Sequence, residues 1–117
     1  MIRLPRPLRG AALACVLTLL PGAALAQQND CTREAAAIRK AETQLPRLDV
    51  APPNDQQIVC ITLETNILFA RRLAAHVSQC PRSPLARDAQ AWQRIGSQYT
   101  AQFGERRCKP AIRGYRG

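Results

Sequence analysis

The sequence predicts an all-α fold, a small three-helix bundle stapled by two disulfides. Three observations predict it. Apolar residues recur at steps of three and four in three separate segments, the period of one helix face. No segment sustains the alternation that a half-buried strand requires. Four cysteines, Cys31, Cys60, Cys80 and Cys108, are spaced so that only one pairing into two bridges is compatible with those helices.

The opening residues are set apart from this fold. Arg3, Arg6 and Arg9 form a basic start, and Ala11 to Leu20 is an apolar run of ten residues, too short to span a bilayer. Pro21-Gly22 interrupts the run, and Ala24-Leu25-Ala26 has the small-x-small pattern of a cleavage site before Gln27. Residues 1–26 therefore read as a secretory signal peptide that is removed. Cys15 lies ahead of most of the apolar run and lacks a Leu-led lipobox, so it goes with the leader rather than becoming a lipid anchor. The expected organisation is a leader over 1–26, a helical domain over 27–108 and a basic flexible tail over 109–117.

The first helix is expected from about Asp30 to Leu45, with Asp30 as its cap and Glu34 in its first turn. Its stripe is Cys31, Ala35, Ile38 and Leu45, interrupted by Glu42. Leu48 to Asp55 follows as a loop in which Pro52-Pro53 stops any helix and Asn54 or Asp55 caps the next. The second helix spans about Gln56 to Gln79 on the stripe Val59, Leu63, Ile67, Ala70, Ala74 and Val77. The third follows a short turn at Cys80-Pro81-Arg82-Ser83, with Ser83 as cap and Pro84 as its first residue. Its stripe is Leu85, Ala89, Trp92, Gly96, Tyr99 and Phe103. Gly96 costs about 1 kcal/mol of helix propensity, which points to a neighbouring helix that approaches closely there.

The cysteines fix the arrangement. Cys60 and Cys80 lie on one helix roughly 30 Å apart, against about 7 Å allowed between bridged Cα atoms. Cys80 and Cys108 bracket the third helix, roughly 36 Å by the same rise. Cys80 is therefore left with Cys31, and Cys60 with Cys108. Twenty residues at about 100° each bring Cys80 roughly 200° round from Cys60, so the bridges leave the central helix on opposite flanks. For Cys31 to reach Cys80, the 48–55 loop must run along the bundle, a path that Pro52-Pro53 favours.

Little in the inventory carries chemistry. His76 is the single histidine and reads as a solvated or partly packed helix residue, with Glu64 well round the helix from it. The sequence has no G-x-S-x-G, S-x-x-K, C-x-x-C, haem-attachment or phosphate-loop motif. The cysteine spacing matches no zinc pattern and no twin C-x9-C hairpin. No catalytic residue, metal ligand or cofactor is expected. A small accessory hydrolase, with a pocket around His76, is the weakest of three functional readings.

Charge is more informative. The chain of 117 residues carries 17 Lys and Arg against 8 Asp and Glu. Loss of Arg3, Arg6 and Arg9 with the leader leaves a net +6 over 91 residues. Residues 27–70 are net −2, and residues 71–117 are net +8. Arg106, Arg107, Lys109, Arg113 and Arg116 crowd the end of the chain, with Tyr115 among them. Arginine clamps phosphate and carboxylate in bidentate fashion. The leading expectation is an exported, periplasmic or secreted, non-catalytic protein that binds an anionic or acidic partner through this half. An unidentified protein or an anionic envelope component, such as lipopolysaccharide phosphates or lipid headgroups, fits. Nucleic acid fits the charge but not the compartment. The alternative is a structural subunit or protein inhibitor docking through Ile61 and Leu68, on the back of the second helix with Arg72 one turn on. The competing expectation for that face is that the first helix or the proline loop wraps over it.

Overall fold

The computed structural model describes residues 20–112, the first five by backbone alone. It contains α1 (Leu20–Thr43), α2 (Gln56–Gln79) and α3 (Ala86–Glu105), with a short 3-10 turn at Leu48–Val50. No strand occurs among the described residues. The disulfides are Cys31–Cys80 and Cys60–Cys108, with Cα separations of 5.9 and 5.5 Å. Fold class and connectivity are those the sequence predicts. The leader's basic start, most of its apolar run and Cys15 lie outside the described residues, as do Arg113, Tyr115 and Arg116.

The first helix begins earlier than expected. It runs through Pro21 and Gly22 instead of being interrupted there, and Asp30 lies in its body rather than at a cap. Proline in a first turn breaks no i−4 hydrogen bond, and Ala23 to Gln28 is a run of good helix formers. The helix stops at Thr43, so Leu45 packs from the loop instead. Residues 25–30 are exposed, and the buried face begins with Cys31, Ala35 and Ile38. Ala41 joins the stripe, whereas Glu42 stays in solvent.

The middle helix has the expected bounds. Asp55 is its cap, the carboxylate accepting from the Ile58 N–H at 3.1 Å. It buries two stripes, not one. Val59, Leu63 and Ile67 pack with Phe103 of α3. A second stripe of Thr62, Asn66, Phe69, Leu73 and His76 is also buried, and Phe69 and Leu73 pack with Ala35 and Ile38 of α1. Ala74, expected in the core, is exposed. An α-helix offers a roughly 100° face to each neighbour. With α1 on one flank and α3 on the other, both stripes are needed.

The segment between α1 and α2 runs along α2 as expected. Asn66 Nδ2 donates to the Pro46 carbonyl at 2.9 Å, and Leu48 and Ala51 pack on the Val59–Leu63 cluster. The third helix starts at Ala86, later than the Ser83–Pro84 signal suggests. Ser83 still initiates the entry turn, its carbonyl accepting from Ala86 N–H and its hydroxyl from Leu85 N–H. Trp92 meets Phe69 edge-to-face at 4.7 Å between ring centres.

At Gly96 the third helix approaches α2 closely. A Cβ built there would lie 3.1 Å from Ala70 Cβ. Replacing Gly96 by leucine should force the pair apart and lower the unfolding free energy by about 1–3 kcal/mol. Urea unfolding of the oxidised protein measures this, with a lower midpoint and unchanged slope as the expected result.

Candidate binding site

Two polar centres flank α2, one beside each disulfide. The first lies near Cys31–Cys80. His76, expected to be at least partly solvated, is only 2% exposed. The reason is its place in the second stripe, where α1 and the turn before α3 close over it. Its Nδ1 lies 2.5 Å from Glu34 Oε1, and its Nε2 lies 2.7 Å from Ser83 Oγ. A carboxylate only accepts, so Nδ1–H donates to Glu34; in the neutral ring Nε2 accepts from the Ser83 hydroxyl. Leu85 N–H donates to the same hydroxyl oxygen at 3.3 Å. The chain of bonds joins α1, α2 and the entry to α3. Its order of carboxylate, imidazole and hydroxyl is that of a general-base relay. Sequence reasoning missed it because Glu34, His76 and Ser83 share no motif and meet only when the helices pack.

The second centre lies beside Cys60–Cys108 and contains the basic residues. The end of α3 is closed by a Schellman turn. Cys108 N–H donates to Phe103 O and Arg107 N–H to Gly104 O, both at 3.0 Å. Arg107 occupies the left-handed position with φ 54°, where glycine is usual. Gln56 Nε2 donates to the Arg106 carbonyl at 2.6 Å, tying the start of α2 to the same turn.

Beyond the disulfide the chain does not leave the domain at once. Glu64, 1% exposed, accepts from Ala111 N–H at 3.0–3.1 Å and from Ile112 N–H. Residues 109–112, assigned to the flexible tail from sequence, are thus fastened to α2. Arg106, Arg107 and Lys109 remain exposed on this fastened segment. Arg107, Lys109, Gln56, Gln57 and Ile61 border an open cleft of about 360 Å³.

On the back of α2, Ile61 is 40% exposed, Thr65 and Leu68 are half-buried and Arg72 is exposed. Ile61 borders the same cleft as Lys109 and Ala111, so segment 109–112 reaches the edge of that face. No group of three His, Cys, Asp or Glu side chains able to hold a metal occurs among the described residues. No helix among them is long and apolar enough to cross a membrane.

The fold and site define a disulfide-stapled helical protein with a fastened basic corner. No known family model, curated protein or solved structure matches the chain.

Both centres can be tested by stability. Removing the imidazole with His76→Ala leaves a cavity and two unpaired partners, and should cost about 2–4 kcal/mol. Arg107→Gly relieves the left-handed backbone and should raise stability by about 1 kcal/mol. Thermal and urea unfolding of the two variants should therefore move in opposite directions.

Proposed function

We propose that this is an exported, non-catalytic protein that acts by binding an anionic partner through the basic corner at Cys60–Cys108. The observation that carries the reading is the fastening of that corner. A disulfide, the Schellman turn, the Gln56 contact and the Glu64 anchor hold Arg106, Arg107 and Lys109 outward on one short segment. A preordered segment loses less conformational freedom on binding than a loose tail. Arg107 keeps a charged side chain where glycine would be less strained, and such strain concentrates at functional positions.

Export is supported by the two bridges, which persist in oxidising compartments, and by the exposure of residues 25–30. Leu25 and Ala26, directly ahead of the expected cleavage before Gln27, are both exposed. The partner chemistry that fits is a phosphate-bearing surface, as in envelope lipid headgroups, because arginine pairs with phosphate through two donors.

The test is binding of the oxidised protein to vesicles containing phosphatidylglycerol, with purely zwitterionic vesicles as control. Binding should weaken from low to high salt, and the double variant Arg106→Glu/Lys109→Glu should bind at least tenfold more weakly. Equal binding by the variant would overturn the reading. Charge reversal is preferable to deleting 109–117, which would also strip the buried Glu64 of its partners.

One observation favours a second reading, a small hydrolase. The Glu34–His76–Ser83 chain has the order of a nucleophile-activating relay, and Ser83 borders a cleft of about 370 Å³ beside Cys31–Cys80. The burial of the imidazole and the Leu85 N–H already resting on Ser83 Oγ support a structural role instead. A fluorophosphonate probe should leave the protein unlabelled. Labelling abolished by Ser83→Ala would replace the binding reading with the hydrolytic one.

A further inference from the structure

The outward face of α2 runs from the basic corner toward the other end of the helix. Ile58, Ile61, Thr65, Leu68 and Arg72 follow one another at steps of three and four, so they share one side of the helix over about 21 Å. Among the side chains described, four large apolar ones are exposed, and Ile58 (43%) and Ile61 (40%) are two of them. Leu68 is half-buried and Arg72 is exposed. Thr65 adds little polarity, because its hydroxyl donates to the Ile61 carbonyl at 2.8 Å. We propose that this face lies flat on an anionic phospholipid bilayer, with Ile58 and Ile61 entering the boundary between headgroups and acyl chains. The proposal rests on the anion-binding reading and deepens it, since it commits to a bilayer and to the side of the molecule that meets it.

Charge carries the first half of the assignment. Arg107 and Lys109 stand across the cleft that Ile61 borders, and Arg72 stands at the far end of the line. Glu64 is the one acid of α2. It is 1% exposed and is taken up by the Ala111 and Ile112 amides. Asp55, just ahead of the helix, is engaged as its cap. The helix thus shows an apolar line with cations at both ends and no exposed acid of its own between them. A headgroup layer presents its negative charge as a continuous sheet, so it meets both ends at once. A second copy docking through the same face would set cations against cations.

The isoleucines carry the second half. A helix lying in the membrane interface buries its apolar side about 5–10 Å into the acyl boundary, and its basic residues stay with the headgroups. The long stems of arginine and lysine let their charged ends reach the phosphates beside such apolar residues. The Cys60–Cys108 bridge and the Glu64 anchor fix the segment of Arg107 and Lys109 beside Ile61. Both parts of the contact are therefore arranged before binding, which lowers its entropic cost. A soluble phosphate compound would use the cations and leave the isoleucines in water.

The experiment compares phosphatidylglycerol vesicles with inorganic polyphosphate, a soluble polyanion without an apolar phase, using the oxidised full chain. Ile58→Ser/Ile61→Ser should bind the vesicles about tenfold more weakly than the wild type, and polyphosphate to within about twofold. Equal vesicle binding by the two proteins would overturn the inference, as would an equal loss toward both anions. Wild-type binding to polyphosphate but not to vesicles would also overturn it, giving the corner to a soluble anion. Depth is measured independently of affinity in Ile61→Trp, combined with Trp92→Phe to remove the single native indole. Its emission should be quenched by phosphatidylglycerol brominated along the acyl chains; bound protein without quenching overturns the inference. The anion reading fails on a different result, unchanged binding of both anions by Arg106→Glu/Lys109→Glu.

Discussion

The structure depends on how each disulfide is completed by a buried polar side chain one turn inward on α2. Cys80 is paired with Cys31, and His76, four residues before Cys80, binds Glu34, three residues after Cys31. Cys60 is paired with Cys108, and Glu64, four residues after Cys60, binds Ala111 and Ile112. A single bridge fixes one point and leaves the incoming segment free to swing. A second attachment about one turn away also fixes its direction. The same device therefore sets the course of α1 at one end and of the C-terminal chain at the other.

That device explains why a helix at the centre of the domain carries so many buried polar groups. Glu64, Asn66 and His76 each fasten a different segment, and no buried side-chain nitrogen or oxygen among the described residues is left without a partner. Burial of such groups is costly unless they are paired. For Asn66 and Glu64 the pairing goes to backbone groups at Pro46, Ala111 and Ile112 that lie outside the helices and need partners of their own, whereas His76 pairs with the side chains of Glu34 and Ser83. The apolar clusters hold the helices together, and the polar groups position the chain between and beyond them.

This division decides what was legible in the sequence. The stripe from Val59 to Ala70 stood out because its members are uniformly apolar, and the spacing of Cys60 and Cys80 along one helix settled the pairing. The second stripe was hidden. Thr62, Asn66 and His76 interleave with Phe69 and Leu73, so the periodicity reads as a polar face although it is buried. Gly96 was legible because helix propensity argues against it unless something comes close, and Ala70 does. The polar centres were not legible, since Glu34–His76 and Glu64–Ala111 are separated by more than forty residues. Nor does any propensity place an arginine at a left-handed turn position.

The two ends of α2 share a construction but differ in what remains after it is complete. At the Cys31–Cys80 end the polar groups face each other: Glu34, His76, Ser83 and the Leu85 amide form a closed series in which each donor meets an acceptor. At the Cys60–Cys108 end only backbone is consumed. Glu64 takes the amides of Ala111 and Ile112, and Gln56 takes the Arg106 carbonyl. The guanidinium and ammonium groups of Arg106, Arg107 and Lys109 sit on exposed residues, on a backbone that is already immobilised. An anion approaching this end meets several donors whose anchoring does not depend on the charges themselves. The net +8 of residues 71–117 is therefore more than a property of composition at this point. A buried acid on the central helix holds part of that charge in a defined place.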